Sequence, residues 1–170
     1  MARNIEIKAR IPSVEAVTPK VAALATEGPL QVAQDDTFFR CETGRLKLRM
    51  FSDGTGELIF YRRPNTLGPK ESFYLRSATS TPDTLRDSLV LACGEIGRVR
   101  KHRTVFLVGR TRVHLDRVEG LGEFLELEVV LTDGELPDVG AGEAQDLMQK
   151  LGIEASQLIE AAYVDLLAMK

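Results

Sequence analysis

Polar and apolar residues alternate strictly near the start of the chain. From Asn4 to Arg10, the even positions are polar and the odd positions are isoleucine or alanine. Side chains on a β-strand alternate between its two faces, so this pattern predicts a strand with one charged face and one apolar face. The charged face could point to water or into the inside of a barrel, and this stretch alone does not distinguish the two interpretations.

Seven further stretches are predicted as strands from their alternation and their β-branched or aromatic residues. They are residues 31–40, 45–49, 57–63, 71–78, 98–108, 111–118 and 123–131. Asp53-Gly54 and Gly109-Arg110 are turn signals that would connect successive strands as hairpins. Most connections are therefore short, which is typical of antiparallel pairing.

Four segments are predicted as helices. The first follows Ser13, contains Pro19 and ends by Gly28; the second lies between Thr81 and Gly94; the others span 144–151 and 155–169. Residues 132–142 between them are predicted as a loop. No regular strand–helix–strand alternation is present, so a doubly wound parallel sheet is disfavoured. The order of elements predicts an antiparallel α+β domain or a closed barrel.

Length and composition narrow the class of protein. With 170 residues, 44% hydrophobic and 28% charged, residues 1–170 are predicted to form one ordinary globular domain. The net charge of −3 argues against a protein that coats nucleic acid. The sequence contains no run of 18 apolar residues, so no membrane span is predicted. We expect a cytoplasmic protein with reduced Cys41 and Cys93.

The charges are segregated by sign along the predicted strands. Arg45, Lys47 and Arg49 share one strand face, whereas Glu126 and Glu128 share another. Alternation alone favours solvated faces, but apolar helices need a sheet face to cover, and covering the outside of a barrel would leave these charges inside. A charged interior must be paired, hydrated or filled by a ligand. A polyphosphate with Mg²⁺ or Mn²⁺ would suit such an interior.

Five segments together resemble a known family. They are EIK at 6–8, LKLR at 46–49, IFYRRP at 59–64, KHR at 101–103 and LDRVEGLGEFLELE at 115–128. In this order they resemble the CYTH family, the triphosphate tunnel metalloenzymes, which includes class IV adenylyl cyclases, thiamine triphosphatases and inorganic triphosphatases. The resemblance implies an α+β fold, an eight-stranded antiparallel closed β-barrel with helices packed outside.

The resemblance also implies the site. The residues expected to hold Mg²⁺ or Mn²⁺ are Glu6, Asp116, Glu126 and Glu128. Those expected to bind the triphosphate are Lys8, Lys47, Arg49, Arg62, Lys101 and Arg103, of which Lys8 and Arg103 are also the expected catalytic residues. The match favours Arg62 over its neighbour Arg63 as the tunnel residue. His114 has the same parity as Asp116, and we predict a hydrogen-bonded structural role for it rather than general base catalysis.

One position departs from the family pattern. The family signature is Glu-x-Glu-x-Lys, and its first position is here Asn4. An amide oxygen can contact a cation but supplies no charge. Where two metals are used, each needs carboxylates, so we hypothesise that a second metal binds more weakly here, or through water.

Two reactions share the implied ligand geometry. A class IV adenylyl cyclase would convert ATP to cyclic AMP and pyrophosphate, and a triphosphatase would release phosphate from tripolyphosphate or an organic triphosphate such as thiamine triphosphate. The segment 115–128 is more similar to the cyclase branch, and loss of the first glutamate harms water activation more than an intramolecular attack. A non-catalytic polyphosphate- or nucleotide-binding module is the third alternative. The predicted partner is a small-molecule triphosphate, and neither nucleic acid nor a membrane is expected as a partner. The sequence leaves open whether the chain forms a homodimer.

Overall fold

The structure, a computed structural model, describes residues 2–170 and contains eight strands. They are β1 (Ala2–Arg10), β2 (Glu27–Phe39), β3 (Arg45–Phe51), β4 (Gly56–Arg62), β5 (Lys70–Thr79), β6 (Glu95–Val108), β7 (Thr111–Val118) and β8 (Gly122–Val130). Each corresponds to a predicted strand. β2 and β6 extend further towards their N-terminal ends than the alternation indicated.

The strands close into one barrel in the order β1-β5-β4-β3-β2-β6-β7-β8. Every neighbouring pair is antiparallel, and β1 completes the ring by pairing with both β5 and β8. The predicted eight-stranded antiparallel closed barrel is therefore confirmed. Closure brings the two ends of the strand set together, so Glu6 lies opposite Glu128 and Lys8 lies opposite Glu126.

The helices pack on the outside of the barrel. They are α1 (Val14–Leu24), α2 (Pro82–Cys93), α3 (Pro137–Lys150) and α4 (Tyr163–Ala168). α1 contacts β6, β7 and β8, and α3 contacts β1 and β8. Across residues 2–170, the helices are all too short or too polar to cross a membrane.

The main hydrophobic core lies between these helices and the barrel wall. Ile7 on β1 and Leu125 and Leu127 on β8 point outwards and are fully buried against α1 and α3. Each fully buried side chain of this size contributes about 1.5–3 kcal/mol of hydrophobic stabilisation. Because the apolar faces of these strands are used outside, the charged faces are turned into the barrel.

Two segments after the barrel differ from the sequence expectation. α3 begins at Pro137, within the predicted loop, and Gly140 packs so closely on β1 that an added Cβ would lie 2.7 Å from Ile5 Cγ1. The predicted helix 155–169 is wrong over much of its length. Within this range only a 3₁₀ turn (Ala155–Gln157) and α4 form. The residues between them pair with β1 instead, because Ile159 N–H donates to the Lys8 carbonyl and Leu158 forms a β-bridge with Ala9. This non-helical segment places Tyr163 where it lines the cavity inside the barrel.

Candidate functional site

The inside of the barrel is a charged cavity of about 300 Å³. Eight lysines and arginines line it: Lys8, Lys47, Arg49, Arg63, Arg76, Lys101, Arg103 and Arg112. Five carboxylates line it as well: Glu6, Asp36, Glu57, Glu126 and Glu128. The lining therefore has a formal excess of three positive charges, although the chain as a whole carries −3. A cavity of this sign attracts anions.

One wall of the cavity holds three cations around a single carboxylate. Asp36 accepts hydrogen bonds from Lys47 Nζ at 2.9 Å, from Lys101 Nζ at 3.1 Å, and from Arg49 Nε and Nη2, both at 2.9 Å. Asp36 is 1% exposed. One negative charge thus faces three positive ones, and this wall has capacity for more anionic charge.

The protonation of these groups reflects that imbalance. Burial, together with the charge of Arg49, lowers the pKa of Lys47 to about 8. Burial lowers the pKa of Lys101 well below its ordinary value. Burial alone would raise the pKa of Asp36, but Arg49, Lys101 and Lys47 hold it well below the ordinary range. A bound polyphosphate would favour the charged form of both lysines.

Asp36 is not predicted as a site residue from the sequence. It lies on β2 between Gln34 and Phe38, which also line the cavity. The signal in the sequence is a charged residue in the middle of a predicted strand, on the same face as Gln34 and Phe38. The pairing of β2 with β3 and β6, which places Asp36 opposite Arg49 and Val99, could not be inferred from the local sequence.

Arg103 and Asp116 form a buried bidentate pair across β6 and β7. Arg103 Nε and Nη2 donate to the two oxygens of Asp116 at 2.7 and 2.8 Å, and the Tyr163 hydroxyl donates to the same carboxylate at 2.9 Å. Asp116 is fully buried and lies behind the cavity surface. These contacts orient the guanidinium of Arg103 and engage both oxygens of Asp116. Asp116 therefore does not join the glutamates that line the cavity.

The opposite wall holds the remaining carboxylates. Glu126 Oε2 lies 3.3 Å from Lys8 Nζ, and Glu128 Oε2 accepts from Arg112 Nη2 at 2.7 Å and from Asn4 Nδ2 at 2.9 Å. His114 Nδ1 lies 3.3 Å from Glu126 Oε1 and 3.2 Å from Glu128 Oε1. His114, Glu126 and Glu128 can each supply a ligand atom within 4.8 Å of the others. The hydrogen bonding predicted for His114 is present.

Glu6 stands beside this group on β1. Its carboxylate lies 3.2 Å from Arg63 Nε. Burial and the negative charge of Glu126 raise the pKa of Glu6 to about 7, against the lowering effect of Arg63. In contrast, burial alone would raise the pKa of Glu126, but Lys8, His114 and Arg103 hold it well below its ordinary range. The two carboxylates therefore differ in charge near neutral pH.

Arg62 is a correction to the predicted set. Its side chain is exposed on the outside of the barrel, where Nε donates to the Thr43 carbonyl at 2.7 Å. Arg63 lines the cavity instead, and its side chain is 3% exposed. The reason is strand parity: Ile59 and Tyr61 on β4 point inwards, and Arg63 continues that face. The other predicted triphosphate residues all line the cavity.

The donors on the carboxylate wall fit a hard divalent cation. Carboxylate oxygens are the ligands that Mg²⁺ and Mn²⁺ prefer. Asn4 Oδ1, which is buried, has no hydrogen-bond partner among residues 2–170. A buried acceptor left unpaired is costly unless water or an ion satisfies it. Glu6, Glu126, Glu128 and Asn4 therefore form a suitable environment for a cation.

Comparison with known proteins decides the family. A model of the CYTH domain matches residues 2–163. The chain belongs to the CYTH family. This CYTH chain is 30% identical over 173 residues to adenylate cyclase CyaB of Aeromonas hydrophila, an alignment that covers 94% of this chain and 86% of that protein.

Solved structures share the fold. The PH1012 protein of Pyrococcus horikoshii OT3 superposes with a TM-score of 0.85 at 24% identity, over 96% of this CYTH chain and 98% of the other. A putative adenylyl cyclase from Hippeastrum, described as having a dominant triphosphatase activity, superposes with a TM-score of 0.69 at 19% identity, over 98% and 95% of the two chains. At these identities the likeness establishes the fold alone.

The raised pKa of Glu6 predicts a pH-dependent stability in the metal-free protein. The pKa of about 7 lies above the ordinary 4.5, so between these values the native state binds more protons than the unfolded state. Stability from this group is therefore present at low pH and is lost as pH rises to 7. In Glu6→Gln this loss is absent. We expect the unfolding free energy of the variant, relative to the wild type, to rise by about 2–3 kcal/mol from about pH 5 to about pH 8.

Urea unfolding with a chelator present measures this difference. The control is Glu15→Gln, which removes an exposed carboxylate from α1 and tests for a mere net-charge effect. Parallel pH profiles for wild type and Glu6→Gln would contradict the assignment.

Proposed function

We propose that this chain is a metal-dependent enzyme that binds the triphosphate of ATP in its barrel and converts ATP to cyclic AMP and pyrophosphate. The observation that carries the proposal is the opposition of two walls in one cavity. One wall has three cations on a single carboxylate, and the other has clustered carboxylates. A triphosphate with its divalent cation complements both walls, because its oxygens match the first and its metal the second.

The metal site is proposed to include Glu6, Glu126 and Glu128. Asp116, which the resemblance also implied as a ligand, lies behind these residues and is bonded to Arg103. Mg²⁺ or Mn²⁺ held there would neutralise phosphate charge and align the reacting oxygens. Lys47, Arg49 and Lys101 are proposed to bind the phosphate chain from the opposite wall. Binding through many cations fixes the chain in one direction, which is the main requirement for phosphoryl chemistry that uses no covalent nucleophile.

Lys8 and Arg103 are the proposed catalytic residues. Lys8 Nζ lies 3.3 Å from Glu126 and 3.8 Å from the centre of the Tyr163 ring, and Arg103 Nη2 lies 3.9 Å from Glu126. Both cations thus border the carboxylate wall, where the metal and the reacting phosphate would meet. Fixed positive charges at this place stabilise the charge that develops on phosphate oxygens. Asp116 and Tyr163 hold Arg103 in position.

The cyclase reaction is favoured by the similarity to CyaB, which spans nearly the whole chain. In this reaction the ribose 3′-hydroxyl attacks the α-phosphorus, and pyrophosphate leaves. A triphosphatase is the second candidate, supported by the activity described for the Hippeastrum protein of the same fold. There water attacks the terminal phosphorus of tripolyphosphate or of an organic triphosphate, the bond from that phosphorus to the bridging oxygen breaks, and orthophosphate and the diphosphate are released.

One assay separates these reactions. Purified chain is incubated with Mg²⁺ or Mn²⁺ and, separately, ATP, tripolyphosphate or thiamine triphosphate, and all products are resolved. Cyclic AMP with pyrophosphate is the expected result. Orthophosphate would support the triphosphatase, and saturable binding without any product would support a binding module.

Glu126→Ala should lower turnover by about 100-fold or more in either enzyme, because it removes a central carboxylate of the proposed site. The matched control is Glu123→Ala on the same strand, where the carboxylate pairs with Arg117 outside the barrel at 3.1 Å. Circular dichroism confirms that both variants fold. Unchanged turnover in folded Glu126→Ala would refute the site.

The neighbouring arginines of β4 and the following loop offer a second matched pair. We expect Arg63→Ala to weaken tripolyphosphate binding by about 10- to 100-fold, because a charge-assisted hydrogen bond contributes about 1.5–3 kcal/mol. Arg62→Ala, on the outer surface, should change it less than about twofold. Calorimetric titration at fixed Mg²⁺ measures both. A larger effect at Arg62 would reverse the assignment.

The number of bound metal ions tests the role of Asn4. Its amide and Arg112 both donate to Glu128 Oε2, so that oxygen is already satisfied by groups of the chain. We expect one tightly bound Mn²⁺ per chain, and a second in Asn4→Glu. Free Mn²⁺ measured by electron paramagnetic resonance during a titration gives the count. Two tight ions in the wild type would disprove the hypothesis.

We further propose that residues 1–170 act as one cytoplasmic domain. The family match over 2–163 and the single barrel support one domain. A homodimer is compatible with the outer face of β5, where Leu75 is 52% exposed.

A further inference from the structure

We propose that His114 is a nitrogen ligand to the cation, so that this site selects a transition-metal ion such as Mn²⁺, Fe²⁺, Co²⁺ or Zn²⁺ over Mg²⁺. The inference rests on that part of the proposed function which places a divalent cation in the barrel. It does not depend on which reaction follows.

The position of His114 is the first argument. It lies on β7 directly opposite Glu126 on β8, and its side chain lines the cavity. Nδ1 lies 3.3 Å from Glu126 Oε1 and 3.2 Å from Glu128 Oε1. Ligands held about 2.1 Å from one ion are roughly 3.0 Å apart at a right angle and roughly 3.4 Å apart at a tetrahedral angle. The observed separations fall in this interval.

The other carboxylate oxygens are already engaged. Glu126 Oε2 faces Lys8, and Glu128 Oε2 accepts from Arg112 and Asn4. Only the Oε1 atoms of the two glutamates turn towards Nδ1; Arg103 Nη2 is 3.9 Å from Glu126 Oε1, beyond hydrogen-bond distance. With both Oε2 atoms engaged, His114 Nδ1 and the Oε1 atoms of Glu126 and Glu128 remain as a group of one nitrogen and two oxygens that can bind an ion.

Asn4 supplies an independent indication of a ligand. Its Nδ2 is fixed on Glu128, and the residue is 2% exposed and lines the cavity. Its Oδ1 finds no hydrogen-bond donor anywhere in residues 2–170. A buried acceptor in an amide that contacts the Glu128 carboxylate indicates a missing partner that is positive or a donor. A cation at the His114 group, or a water molecule on that cation, would satisfy it.

Ligand chemistry then sets the selectivity. Imidazole nitrogen binds later first-row ions more strongly than it binds Mg²⁺, which prefers oxygen alone. A neutral imidazole binds through the nitrogen that carries no proton, so His114 would bind the ion through Nδ1 as the tautomer that carries its proton on Nε2. A histidine with only a structural hydrogen bond would confer no such preference.

Nitrogen hyperfine coupling to bound Mn²⁺ is the direct test, measured by pulsed electron paramagnetic resonance on the metal-loaded full chain. We expect a coupling in the wild type that changes on isotopic labelling of histidine nitrogen. His114→Gln, which retains a hydrogen-bond donor and an oxygen, should lose the coupling. His102→Gln is the matched control, since His102 is exposed on the outside of β6, and it should keep the coupling.

Calorimetric titrations with Co²⁺ and Mg²⁺ provide the second readout. We expect His114→Gln to weaken Co²⁺ binding by about tenfold or more and Mg²⁺ binding by less than about threefold. Absence of a histidine coupling in wild-type protein with bound Mn²⁺ would overturn the inference, and so would equal losses for the two ions. The labelled wild type decides the matter even if the variant fails to fold.

These outcomes are separable from the reaction. A histidine coupling without turnover of any triphosphate would support the metal ligand and contradict the proposed enzyme. Turnover of ATP with Mn²⁺ and no coupling would do the reverse.

Discussion

Cross-strand pairing of buried charges is the constraint on which the barrel depends. Isolated charges of this kind are too costly to bury, so each must meet a partner on a neighbouring strand. Asp36 meets Arg49 across β2 and β3, Arg103 meets Asp116 across β6 and β7, and Lys8 meets Glu126 across β1 and β8. Each of these pairs requires its two strands to lie in the correct register, and a slip of one residue would turn the charges outwards.

The pairing is incomplete, and this incompleteness is what makes the interior a candidate binding site. Lysines and arginines outnumber carboxylates in the lining, and most of the excess lies around Asp36. The carboxylates of the opposite wall are close enough to share an ion. A ligand that carries both signs would complete both walls. The stability of the barrel and the proposed binding of a metal–polyphosphate complex therefore rest on one charge distribution.

Most of the barrel and much of its lining can be predicted from the sequence. Alternation at Asn4–Arg10, 45–49 and 111–118 marked both the strands and their faces, because the two-residue period is local to each strand. The family resemblance supplied the direction in which the faces point. The family match failed at Arg62, because two adjacent arginines stand at the end of a strand and only the continuation of the inward face to Arg63 distinguishes them.

The sequence by itself determined the strands, the signs of charge on each face and the family. Those properties depend on residue type and on spacing along the chain. The tertiary structure alone decided which charges meet, because Asp36, Lys47 and Lys101 come from three strands, and His114 reaches Glu126 and Glu128 only through the β7–β8 register. It also decided that residues 158–162 stay non-helical, since pairing with β1 outweighs helix propensity there and sets Tyr163 beside Lys8.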